Sequence, residues 1–426
     1  MYHNAANITT TRLSNGALVL SETMPGVESV TVGVWTDAGS AEEATPAQHG
    51  LAHFLEHMLF KGTATRSAFQ LAEMIENVGG ELNAYTERDT TNIYARTLAE
   101  HLPLALELIA DMVCHSTFPV DELERERQVI VEEILKYEAV AEESIQDIFM
   151  EALWHGGALG HAILGDTASV RGITRAMLLE CQRQHFAAPR VIITAAGKVV
   201  HEELVALAEQ HFADLPTAAP DVPEYLLGTQ QLLAVDEDEN EQINFLWGGR
   251  SYPVSDERNF ALAIIDTALG GSTTSRLFQE IREKRGLAYD ISSYTGGFRD
   301  TGFLAVSGAC SADTFPQVIG LVRAELESIR QHGLTPVEFT RAKEQIKVGL
   351  ALSLETTAEH MRRMAQHQLT WGYVRPLQEI ITRLSEVTEA EVRLVLDELL
   401  DLSTWTFAAT GPVSEAQVCA LLQERM

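Results

Sequence analysis

The sequence predicts an α+β fold built twice over: two structurally related α/β sandwich domains, each an antiparallel-rich sheet packed with helices. Three observations predict it. Alternating, β-branched segments come in adjacent pairs more often than as strand–helix–strand units, which favours antiparallel layers faced by helices. The order of elements also recurs: Val191–Val199 resembles Trp405–Val413, each followed by an amphipathic helix, and the hairpin and helix at 81–113 have a partner in Leu287–Ile329. Finally, 426 residues, 46% of them hydrophobic, suffice for two cores. Three prolines between 215 and 225 mark a linker near the midpoint. The expected division is a domain over 1–215, a linker over 216–230 and a related domain over 231–426.

The first informative element is a helix from about Leu51, with Leu51, Phe54, Leu55, Met58 and Leu59 at helical spacing and Lys61-Gly62 as its end. It carries His53 and His57, which project from one face because they are four residues apart. That spacing suits two ligands of one metal ion, and Glu56 stands beside them, where it can hold a water. The order inverts the commoner His-Glu-x-x-His arrangement. A catalytic zinc usually takes three protein ligands and keeps a position for water, so a further donor must come from elsewhere.

A second helix opens with a Ser67-x-x-Gln70 capping box and stops at Gly79-Gly80. The stretch from Glu81 to Ala95 then reads as a hairpin containing Asn83 and Ala84. By pattern alone its first strand reads as an ordinary member of a sheet. After Pro119, well placed at a helix start, comes an acidic helix in which Glu122, Glu126 and Glu133 share a face while Glu132 points away. Any of the three could supply the missing ligand, and spacing alone does not choose; the run also reads as a solvated charged face.

In the second half, the helix matching the histidine helix is Phe260–Leu269, and it has no histidine. The fold is doubled but the metal centre is expected to be single. The segment Ser275–Tyr289 contributes Arg282 and Tyr289; by composition alone, Arg282 reads as a solvated residue in a helix's last turn.

Asp and Glu number 61 against 31 Lys and Arg, a formal charge of −30. That excludes the basic footprint of a nucleic-acid binder. The run Asp236–Glu239 reads as a solvated loop. The four cysteines are widely spaced, without a Cys-x-x-Cys pair, as suits a reducing compartment. Neither a secretory signal nor an Arg-rich transit peptide is legible at the start, and no apolar run is long enough to span a bilayer. The expected address is cytoplasmic, with no membrane association.

His53 to Thr63 reads His-Phe-Leu-Glu-His-Met-Leu-Phe-Lys-Gly-Thr. Together with Val129-Ile130-Val131-Glu132-Glu133, it resembles the pitrilysin/insulinase family of zinc peptidases, especially its short bacterial, mitochondrial-processing-peptidase-like branch. The resemblance implies Glu133 as third ligand of one zinc ion per chain, and Glu126 as a carboxylate that orients a ligand. It implies Asn83-Ala84 as the edge that pairs with substrate. It also makes Arg282 and Tyr289, at the family's seven-residue spacing, hydrogen-bond donors near the substrate carbonyl. The implied activity is metalloendopeptidase cleavage of unfolded peptides within a chamber, with Glu56 activating the water. The implied fold is half of a clamshell, so a partner is expected: a homodimer, or alternatively a heterodimer with a related subunit. Two other readings share the fold, a non-catalytic assembly subunit and a dedicated precursor-processing peptidase.

Overall fold

The computed structural model describes residues 8–218 and 224–423. The chain forms two units. The first comprises Met1–Leu135, Ala162–Tyr225 and Ala351–Leu377; the second comprises Lys136–His161, Leu226–Leu350 and Gln378–Met426. They are not the contiguous halves expected at 1–215 and 231–426. Each half of the chain gives a helical segment to the other unit. Of the expected linker, 219–223 lies outside the described residues.

In the first unit, strands β1 (Ile8–Arg12), β2 (Leu18–Thr23), β3 (Ser29–Thr36), β4 (Glu81–Thr86), β5 (Thr91–Leu98) and β6 (Val191–Gly197) form a sheet in the order β1-β2-β6-β3-β5-β4. Only the β2–β6 pair is parallel. Helices α1 (Leu51–Leu59), α2 (Ala68–Glu76), α3 (Leu102–His115) and α4 (Val120–Glu138) belong to this unit for all or most of their length. Side chains alternate faces along a strand. Val30, Val32 and Val34 of β3 therefore join Phe54, Leu55 and Met58 of α1 and Leu106 and Ile109 of α3 in one core. Leu18, Leu20, Trp35 and Ile192 point the other way and meet Met361, Met364 and Ala365 of the Thr357–Trp371 helix. With both faces covered, β3 carries no polar-out alternation.

The exchanged Thr357–Trp371 helix is held by polar contacts as well. His360 Nδ1 lies 2.8 Å from Glu22 Oε2, and Thr357 Oγ1 lies 2.8 Å from Thr31 Oγ1. The helix comes so close to β3 that a Cβ at Gly33 would stand 2.6 Å from the Met361 sulfur.

The second unit repeats the plan without the outermost strand. Strands β7 (Leu233–Glu237), β8 (Ile243–Ser251), β9 (Asp290–Gly297), β10 (Gly302–Cys310) and β11 (Thr406–Gly411) take the order β7-β11-β8-β10-β9, again with a single parallel pair, β7–β11. The helix given to this unit is α5 (Ala141–Leu153), which packs on β11 and β8. Arg250 fastens its end, donating to the Leu153 carbonyl from Nε at 3.0 Å and Nη2 at 2.7 Å. The acidic run at 236–239 is not wholly loop: Asp236 and Glu237 pair with Thr410 and Gly411 in the sheet, their side chains exposed. Among the described residues no helix is long and apolar enough to cross a membrane.

Candidate metal centre

The start of α1 is set by Glu43 rather than by an Ncap side chain. This buried carboxylate accepts the Gly50 N–H at 2.9 Å and the Ala52 N–H at 2.8 Å, satisfying donors that a helix N-terminus leaves open. Gly50 has φ +85, and a Cβ there would lie 2.4 Å from the Leu164 carbonyl oxygen, so the turn into the helix requires glycine. The apolar side of α1 is buried, which aims the opposite side, with both histidines, at α4.

Helix α4 has its own anchor in Arg127. The guanidinium is buried, lies 5.4 Å from the Phe54 ring centroid, and donates to the Val170 and Ile173 carbonyls. Glu126 and Glu133 of this helix consequently face the histidines. Glu133 Oε2 stands 3.6 Å from His57 Nε2 and 4.0 Å from His53 Nε2. One ligand atom from each of His53, His57 and Glu133 lies within 4.8 Å of the others; among the described residues no other histidine, cysteine and carboxylate group meets so closely. For a tetrahedral zinc with bonds of about 2.1 Å, ligand atoms stand roughly 3.4 Å apart. The donor set, two imidazoles and a carboxylate, therefore fits a zinc ion.

The electrostatics agree. Burial, helped by the nearby His57, lowers the His53 pKa to about 3, so its ring is neutral and has a lone pair to offer. His57 Nδ1 lies 3.0 Å from Glu126 Oε2, and the other Glu126 oxygen lies 2.6 Å from Lys61 Nζ. Burial would raise the Glu126 pKa, but His57 and Lys61 outweigh it and hold the carboxyl below its usual range. With Nδ1 directed at Glu126, Nε2 is the ring nitrogen that faces Glu133. Glu122, on the same face by spacing, pairs instead with Arg125.

Glu56 also belongs to this centre. Its Oε2 accepts the Thr86 hydroxyl at 2.6 Å. Burial pushes its carboxyl above the ordinary range, with the Thr86 hydrogen bond and His57 pulling the other way. Asn83 and Ala84 lie in β4, the edge strand of the sheet. Arg282 and Tyr289 lie in the second unit, Arg282 in the π-helical turn Phe278–Glu283. The Arg282 guanidinium stacks 4.6 Å from the Tyr289 ring and 4.7 Å from that of Phe278, and Tyr289 is 81% exposed.

Sequence reasoning overlooked three residues here: Glu43, Lys61 and Thr86. Lys61 and Thr86 stood in segments already singled out, but nothing in their spacing showed what they would touch. Glu43 had no sequence signal, since it lies seven residues before the glycine it caps.

The chain is similar to several known proteins. The family model described as insulinase (peptidase family M16) matches residues 18–167, and the model described as the peptidase M16 inactive domain matches 172–346. An uncharacterized zinc protease of Streptomyces coelicolor is 35% identical, the match covering 98% of this chain and 93% of that protein. One of Mycobacterium tuberculosis is 38% identical, covering 94% and 92%. Among solved structures, the fold is similar to a peptidase M16 inactive domain from Pseudomonas fluorescens (TM-score 0.87, 22% identity, covering 96% of this chain and 98% of that one). It is similar also to a protease from Helicobacter pylori (TM-score 0.86, 20% identity, covering 95% and 99%).

Proposed function

This chain belongs to the insulinase family of peptidases, and on that premise we propose that it is a zinc-dependent metalloendopeptidase that cuts extended, unfolded peptides. The observation that carries the reading is the convergence of His53, His57 and Glu133 within 4.8 Å, beside the half-buried Glu56. Those three side chains would hold one zinc ion per chain. When bound, zinc supplies Lewis acidity, polarising a peptide carbonyl and acidifying water. Glu56 accepts the proton of the attacking water and returns it to the leaving amine; a carboxyl raised by burial suits both halves of that task. Glu126 and Lys61 keep the His57 ring oriented.

Substrate joins β4 as an added strand along Asn83 and Ala84, held by main-chain hydrogen bonds that demand little of its sequence. Arg282 and Tyr289 donate to the developing oxyanion. In this reading the protein is a homodimer, and each subunit lends its Arg282–Tyr289 pair to the centre of the other across a closed chamber. An assembly subunit without activity would not need the full set His53, Glu56, His57 and Glu133. The cysteines of the described residues are free, which supports a reducing, cytoplasmic setting.

The test is metal analysis combined with cleavage of an internally quenched, unstructured peptide. We expect one zinc per chain, loss of turnover on chelation and recovery on adding zinc back. Undiminished cleavage by metal-free protein would overturn the proposal.

A further inference from the structure

We propose that Thr86 is a positioning residue for Glu56, fixing the orientation of its carboxylate and so which oxygen takes the proton. The inference rests on the reading of Glu56 as proton acceptor and adds to it a link between the base and the strand that receives substrate.

A glutamate on a helix has broad freedom about its terminal torsion, so its two oxygens are interchangeable unless something distinguishes them. Here the Thr86 hydroxyl does so. It donates to Oε2 at 2.6 Å, the short length of a hydroxyl bonded to a charged acceptor. With Oε2 engaged by the hydroxyl, Oε1 is the oxygen presented for proton transfer.

The position of Thr86 in the fold gives the contact its meaning. It is the last residue of β4 and pairs with Thr91 across the hairpin. Two residues earlier on the same strand is Ala84, about 7 Å away at the usual rise of an extended strand. Because β4 is the sheet edge, a peptide added to it is placed in register with Thr86. Base and bound backbone thus share one support. The contact ties the orientation of the Glu56 carboxylate to the strand that places the substrate, and proton transfer depends on that alignment.

Thr86→Val keeps the side chain's shape and strand preference but removes the donor. A hydrogen bond to a charged group corresponds to about a ten- to hundredfold effect, and we expect kcat to fall by that much. KM for an extended peptide should stay near the wild-type value. Zinc affinity, measured by competition with a chelating dye, should also be unchanged, because Thr86 touches no proposed ligand. Thr86→Ser restores the donor and should recover most of kcat. In a Glu56→Gln background, adding Thr86→Val should cost nothing further.

Wild-type kcat in Thr86→Val would overturn the inference. So would a loss expressed as raised KM or weakened zinc, or a Thr86→Ser variant as slow as Thr86→Val. If Glu56→Gln itself turns over normally, the assignment of Glu56 as base has failed; if only Thr86→Val is normal, the base stands and the positioning role is lost.

Discussion

Glu126 shows how much of this centre depends on residues that would not touch the ion. Its two oxygens join His57 Nδ1 at 3.0 Å to Lys61 Nζ at 2.6 Å. Removing the carboxylate frees the imidazole to rotate and leaves Lys61 without this partner. Glu126→Ala should weaken zinc binding by about 10- to 100-fold in a chelator competition. Glu126→Gln should lose less, because an amide oxygen still accepts from the ring N–H. Equal affinity in wild type and Glu126→Ala would show that burial alone orients His57.

At the scale of elements, the centre is a meeting of α1 and α4 beside the end of β4, and each of the two helices is anchored by a buried charged residue, Arg127 in the case of α4. For α1 it is Glu43. Glu43→Ala leaves two buried helix N–H groups unpaired, and should lower stability by about 2 kcal/mol in thermal or urea unfolding. In the second unit the helix Asn259–Leu269 bears Asp266, whose Oδ1 accepts the Ser293 hydroxyl of β9 at 2.6 Å. Burial pushes the Asp266 pKa up to about 6. An unfolded Asp titrates near 3.9, so between about pH 4 and pH 6 the folded state holds a proton that the unfolded state has released. This contribution to stability is complete below that window and is lost as pH rises through it. Asp266→Asn should flatten melting temperature against pH over the window and leave the acid limb below it unaltered; an unchanged slope would assign the dependence to other groups.

For the whole molecule, the proposed assembly makes a prediction that single variants cannot. If Arg282 and Tyr289 act across a symmetric dimer, a Glu56→Gln chain and a Tyr289→Phe chain can complement each other. In a mixed dimer one centre then has both an intact Glu56 and an intact Tyr289. Mixing the two impaired proteins under conditions of subunit exchange should restore a fraction of wild-type turnover, and size analysis should show a dimer of 46.9 kDa chains. Recovery that never exceeds the sum of the separate activities would place the pair in the service of its own chain, or outside catalysis.

The doubling of the fold was legible because each copy repeats a local pattern: the hairpin and helix at 81–113 recur as β9, β10 and the helix Phe315–His332. The exchange of α5 and the Thr357–Trp371 helix was not. An amphipathic pattern says that Met361 and Met364 need a cover, but not that Leu20 and Trp35, of two strands more than 300 residues away, provide it. The site divides along the same line. His53, Glu56 and His57 share a single helix, so their grouping follows from backbone periodicity, which is a local property of the chain. The approach of Glu133, the pairing of Glu126 with His57 and the grip of Thr86 on Glu56 all require segments distant in sequence to pack. The rotation that turns the glutamate face of α4 to the histidines is fixed by the burial of Leu123, Ile130 and Ile134 together with Arg127. The place along α4 where the two helices meet puts Glu126 and Glu133, not Glu122, beside the rings, because only tertiary packing sets both.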